Sequence, residues 1–303
     1  MSRNQLEVRI CGLQRSGNHA IIEWIINQHQ GTRICFLNNV RHGNHNPFDT
    51  SEQILVHNFE EFPKGKMEEV TEALKTASKD LLIYSYEDDR RKIINNESFW
   101  NSVYSPEFEQ ERQSYLGDSA KFIDILIVRD PYNFFASRLK RIDGLTGVKD
   151  IGFIINSLKE IMREAIQIEA DPNGTNLVIK YNQWFSDKQY RKSLSEQLGG
   201  KFDDSSLDQV SSVGGGSSFD GTRFNSKKKL KLQDLWHKRE KLLRPETYQR
   251  LRDYWDRLFL NGARDMKVME RWKNIEDERM EKILTDPDIA ELSKQLFGDL
   301  LKV

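Results

Sequence analysis

The chain has 303 residues, enough for one large α/β domain or two small ones. Lys plus Arg number 46 against 47 Asp plus Glu, a formal charge of −1, which excludes a global field drawing in nucleic acid, an anionic membrane or a polyanion, so any anion site has to be local. Hydrophobic residues at 37% and aromatic residues at 10% exclude a disordered chain, and 31% charged residues predict a wet surface.

Short apolar runs alternate with longer amphipathic ones, the pattern of an α/β fold with three layers, α/β/α, around a central, mainly parallel sheet. Residues 6–11 read as the first strand, and the first helix runs from near Asn18 to Gln28 and stops at Gly31. Further strands are read at 54–57, 81–84 and 122–128. The last of these feeds a helix that opens with Asp130 as cap and Pro131 in the first turn and stops near Gly144. The run 151–169 puts Ile154, Leu158, Ile161, Ala165 and Ile168 on one helical stripe, a core face. A strand at 177–181 is followed by a helix whose capping box runs from Ser186 to Gln189 and which ends at Gly199. These elements make a core of about residues 6–204, followed by a Gly/Ser loop at about 205–230 containing SSVGGGSS and by a helical, highly charged portion at 231–303. No linker divides the chain, so a single domain is expected. The lysines at 227–229 and Lys231 lack interleaved aromatics and fit a solvated loop, not a nucleic-acid patch.

Two cysteines, Cys11 and Cys35, make neither a disulfide framework nor a zinc site. The first seven residues hold no apolar signal core, and no window approaches the roughly 18 apolar residues of a membrane span. The expectation is free thiols, a cytoplasmic setting, no membrane and no metal; the pair His42 and His45 in RHGNHNPF finds no further ligands.

The sharpest local signal is ICGLQRSGNHAIIEW at 10–24, a strand ending in a Gly-bounded turn that runs straight into a helix. Such a turn aims backbone N–H groups at one point, where the helix dipole adds about half a positive charge. Gly12 and Gly17 allow the tight turn, Arg15 supplies a fixed charge, and Ser16, Asn18 and His19 offer side-chain donors, so the place suits a phosphate. The loop is shorter than a nucleotide P-loop and lacks its Lys-Ser/Thr pair. A second segment, FIDILIVRDPYNFFASRLK at 122–140, places Arg129 at the carboxyl end of a strand, where open parallel sheets bind ligands, and Ser137 in the second turn of the helix beyond. Without the first loop, Arg129 would read as a partner of Asp130, and Ser137 as a surface residue.

Together these segments resemble sulfotransferases that use 3′-phosphoadenosine 5′-phosphosulfate (PAPS). GLQRSGNHA is similar to their 5′-phosphosulfate loop and LIVRDPYNFFASR to their 3′-phosphate strand and helix. NLVIKYNQWFSDKQYRKSLSEQLG at 176–199 is similar to a later strand, turn and helix, with Asn182 and Gln183 where the family has an acidic pair. The resemblance implies that Gln14, Arg15, Ser16, Gly17, Asn18 and His19 cradle the sulfate and 5′-phosphate and that Arg129 and Ser137 hold the 3′-phosphate. The family's aromatic after the loop is replaced by Ala20 and Ile21, with Trp24 further along, so Phe219 and Gly221 in the late glycine loop become the adenine-side candidates.

Sulfuryl transfer needs alignment, charge stabilisation and removal of the acceptor proton. Arg15 suits the charge on the leaving phosphate. Two residues compete for the base: His57, at the end of ILVHNFEEFP, with an ordinary pKa of about 6.5, and Glu87 in YSYEDD. The expected activity is PAPS-dependent sulfation of a hydroxyl, or less favourably an amine, on a small-molecule or saccharide-like acceptor. A nucleotide-dependent kinase of related fold and a non-catalytic nucleotide-binding relative are the alternatives. The sequence sets no oligomeric state.

Overall fold

The computed structural model describes residues 3–40, 51, 53–59, 67–88, 106–142, 151–171, 174–205, 207, 272–273, 275 and 277–298. Among them, six strands form one sheet in the order β3-β2-β4-β1-β5-β6. The strands are β1 (Asn4–Gly12), β2 (Ile34–Asn38), β3 (Gln53–His57), β4 (Lys79–Glu87), β5 (Ser119–Val128) and β6 (Leu177–Lys180). The helices are α1 (Asn18–Gln28), α2 (Met67–Thr76), α3 (Pro106–Leu116), α4 (Pro131–Ile142), α5 (Ile151–Ala170), α6 (Tyr181–Ser186) and α7 (Lys188–Gln197), and then α8 (Glu281–Leu284) and α9 (Pro287–Phe297). This is the expected α/β architecture, with every strand pairing parallel except that of β2 with β3.

The central strands are apolar on both sides because both faces of the sheet are covered. Leu6, Val8 and Ile10 of β1 join Ile21, Ile25, Trp184 and Leu194 in one core, under α1, α6 and α7. Cys11, Tyr84, Leu126 and Val128 pack on the opposite face against Leu74, Leu116, Phe135, Leu158, Met162 and Leu292, contributed by α2, α3, α4, α5 and α9. The alternation places adjacent residues of one strand in different cores.

The structure corrects the sequence reading at three points. Residues 34–38 form a buried strand, β2, that the reading lacked. The run at 53–57 is antiparallel to it, pairing Asn38 with Gln53 and Ile34 with His57. The last helix of the core is capped by Asp187, whose carboxylate accepts from the backbone N–H groups of Gln189 and Tyr190, while Ser186 bonds back to the Asn182 carbonyl. Asp130 does cap α4, accepting from the Asn133 N–H at 2.8 Å ahead of Pro131.

Among the described residues, an ion pair sealed from solvent interrupts one of these cores. Glu7 and Arg112 are both sealed from solvent, and the Glu7 carboxylate accepts from Arg112, from the Tyr84 hydroxyl at 2.5 Å and from the Ser119 hydroxyl. Burial, with the nearby Glu7 charge, pushes the Tyr84 phenol well above its ordinary value, so it serves as a fixed donor. Removing one charge of such a pair strands the other in a medium that cannot solvate it. Arg112→Met is therefore expected to lower the unfolding free energy by about 3–5 kcal/mol in a urea titration, and the double change Glu7→Gln/Arg112→Met to lose less than the single one.

Candidate functional site

The register brings the carboxyl ends of three parallel strands to one level, with Gly12 opposite both Glu87 and Ile127. The residues that follow them, 13–17, Asp88 and Arg129–Asp130, therefore share one edge of the sheet.

The turn after β1 closes with the Ser16 N–H on the Leu13 carbonyl at 3.1 Å and passes through left-handed backbone at Arg15 (φ 78°) and Gly17 (φ 95°). Gly17 occupies the N-cap of α1 and no side chain caps that helix, so its first N–H groups are left to whatever lies beyond the turn. Glycine is required here for space as well as for conformation. A Cβ on Gly17 would stand 2.2 Å from the Tyr181 ring, and one on Gly12 2.4 Å from the Asn18 side-chain oxygen.

The turn carries Arg15 itself, and Arg129 reaches it from the end of β5. Arg129 donates to the Arg15 carbonyl at 2.9 Å, and its guanidinium lies 4.9 Å from the centre of the Tyr181 ring, which orients it by cation–π attraction. Ser137 is buried in the second turn of α4. Asp130 is also buried, and its oxygens accept from Asn133 and from Asn182, whose side-chain oxygen in turn accepts the Asp130 N–H. Burial pushes the Asp130 carboxyl above the ordinary range, with the Arg129 charge and these hydrogen bonds opposing that rise. Asn182, standing where the resembled family has an acid, is thus the residue that clamps the α4 cap.

A carboxylate corner adjoins the turn. Glu87, largely buried at the end of β4, accepts from the Asn18 side chain at 2.9 Å and lies 3.9 Å from His19 Nε2, which contacts Asn38 Oδ1 at 3.0 Å. The Asn18 amide also donates to the Leu13 carbonyl, so its side chain braces the turn and aims Glu87 and does not reach outward as a ligand donor. His19 likewise turns toward Asn38. Gln14 is braced from inside: its N–H goes to Asp88 at 3.0 Å, and its side-chain oxygen accepts from Arg138 at 3.2 Å.

His57 belongs to none of this. It pairs with Ile34, Ile34 with Leu81 and Leu81 with Leu6, which puts it six residues down β1 from Gly12, about 20 Å away at about 3.3 Å per residue, on the opposite edge of the sheet. Its side chain is exposed there. The antiparallel direction of β3 is the cause, because the end of that strand is the wrong end of the sheet. Trp24 is buried in the α1 core with its indole N–H on Asp204, so it is no base-stacking surface. Phe219 and Gly221 lie outside the described residues. Tyr181, Asp88 and Arg138, absent from the sequence-derived set, are placed at the turn by tertiary packing alone.

Among the described residues no cluster of His, Cys, Asp or Glu could hold a metal ion, and no helix is long and apolar enough to cross a membrane. No family profile and no curated protein sequence matches the chain. Among solved structures, it is similar to mouse sulfotransferase SULT7A1 complexed with PAP, at 15% identity and a TM-score of 0.38, over 68% of this chain and 62% of that one. The chain thus spans less than two thirds of the mouse protein. It is also similar to the sulfotransferase domain of the Synechococcus PCC 7002 olefin synthase (13% identity, TM-score 0.37, 83% of this chain and 94% of that one). A third is the sulfotransferase domain from the curacin biosynthetic pathway (13% identity, TM-score 0.31, 67% and 76%). The chain has structural matches among sulfotransferases.

The turn's demand for glycine is directly testable. Gly17→Ala carries the left-handed penalty of about 1–2 kcal/mol and in addition displaces Tyr181, whereas Gly31→Ala has φ +86° but nothing within 4 Å of the added methyl. Thermal unfolding should show a clearly larger loss for Gly17→Ala than for Gly31→Ala.

Proposed function

We propose that this chain transfers a sulfuryl group from PAPS to a hydroxyl of a small-molecule or saccharide-like acceptor, with Glu87 as the general base. The observation that carries this is the convergence, at one sheet edge, of an α1 N-terminus without a side-chain cap, Arg15, Arg129 and the buried Ser137, with Glu87 beside the turn. Two arginines and a helix N-terminus without a side-chain cap suit a ligand with anionic groups at two separate positions. PAPS, when bound, supplies an activated sulfuryl group on its 5′-phosphate and a second phosphate at the 3′ position.

The roles follow from placement. The α1 N–H groups and the Arg15 guanidinium hold the charge that gathers on the 5′-phosphate as its bridging bond to sulfur breaks. Arg129, steadied over Tyr181, and Ser137 hold the 3′-phosphate. Glu87, aimed by the Asn18 amide, takes the acceptor's hydroxyl proton as its oxygen bonds to sulfur. His57 has no part, being on the far edge of the sheet.

Adenosine 3′,5′-bisphosphate should therefore raise the melting temperature, by the equivalent of about 2.7 kcal/mol at a hundredfold excess over its Kd, while ATP with magnesium should not. The reverse pattern would overturn the assignment. Arg129→Met should abolish the shift. With PAPS and a panel of hydroxylated acceptors, Glu87→Gln should lower turnover by about 10²–10⁴-fold while keeping the bisphosphate shift, and His57→Ala should change neither.

A further inference from the structure

We propose that Asp88 is a positioning residue that sets the distance between the base and the donor loop; this rests on the function proposed above. Asp88 directly follows Glu87 and is held in left-handed backbone, φ 47°. Its two oxygens serve two different elements. Oδ1 accepts the Gln14 N–H of the turn after β1 at 3.0 Å, and Oδ2 accepts from Arg138 of α4 at 2.6 Å. Arg138 closes the triangle on the Gln14 side-chain oxygen at 3.2 Å. Both charged side chains are only 8% exposed.

One carboxylate thus ties together the end of β4, the turn that faces the 5′ end of the donor, and the helix that carries Ser137. A buried ion pair is a poor device for stability alone, since desolvation offsets most of its Coulomb energy; what it provides is a fixed geometry. In-line transfer depends on such geometry, because acceptor oxygen, sulfur and leaving oxygen must lie on one line, and a misplacement of about 1 Å costs about 10²-fold in rate. The competing account is that an aspartate stands here only because Asp, Asn and Gly tolerate a positive φ. The two accounts part on substitution. Asp88→Gly relaxes the backbone and loses both links. Asp88→Asn keeps a tolerant backbone but can accept only one of the two donors, because its amide nitrogen meets the other.

The experiment compares wild type, Asp88→Asn and Asp88→Gly in steady-state sulfation and in backbone hydrogen exchange of the nucleotide-free chain. Exchange across 13–17 should accelerate in the order wild type, Asn, Gly, and kcat should fall in that order to about 10²-fold below wild type, with the KM for PAPS changing much less. Unchanged exchange in Asp88→Gly, or equal kcat in all three proteins, would overturn the proposal. The exchange arm does not depend on the donor: accelerated exchange in a chain that shows no response to adenosine 3′,5′-bisphosphate would support the brace and discard the donor assignment.

Discussion

The site depends on one constraint, the common register of β1, β4 and β5. Because Gly12, Glu87 and Ile127 stand at one level, the segments leaving these strands emerge together, and both α1 and α4 begin at the same edge. Two helix N-termini at one place concentrate positive potential. Asp130 neutralises the start of α4, whereas Gly17 leaves that of α1 without a side-chain cap. The anion site proposed for this chain therefore rests on local geometry and not on its formal net charge of −1.

The same edge collects backbone strain. Arg15, Asn39 and Asp88 have positive φ, at 78°, 49° and 47°, each at a cost of about 1–2 kcal/mol. Side-chain to backbone bonds hold at least two of them in place. The Asn39 N–H goes to the Ser85 hydroxyl and its side-chain oxygen takes the Glu87 N–H, while Asp88 takes the Gln14 N–H. Asn58, at φ 58° just beyond His57, is the one other described non-glycine residue with a positive φ, and it lies at the opposite end of the sheet.

Much of this was legible in the sequence, for physical reasons that can be named. The glycine turn, the Asp130-Pro131 cap and the stripe at 154–165 are local, and local rules of conformation and periodicity describe them. Strand direction is not local. An apolar run has the same alternation read either way, so nothing in ILVH distinguishes a parallel strand ending at the site from an antiparallel one ending at the opposite edge, and His57 was misplaced for that reason. ICFL at 34–37 is as short and as apolar as the runs read as strands at 54–57 and 81–84, so length does not set β2 apart from them. Asn18 and Gln14 show the same limit at the side-chain level. A donor near a phosphate loop looks like a ligand contact until the partner that consumes it, Glu87 or Asp88, arrives from 69 or 74 residues away.

The Asp130–Asn182 clamp bears on the order in which the molecule assembles. Asp130 can cap α4 as soon as that helix forms, but its carboxylate is buried and its N–H satisfied only when Asn182 arrives, 52 residues later, behind β6. Until then a charged group sits exposed at the end of β5 and water competes for the cap. The N-terminal end of α4 therefore reaches its final form only after the sixth strand has docked, although the turn after β1 is made earlier in synthesis. Docking of the edge strand and completion of the α4 N-terminus are thus coupled, and a chain ending short of residue 182 would carry both arginines without the Asn182 half of the clamp.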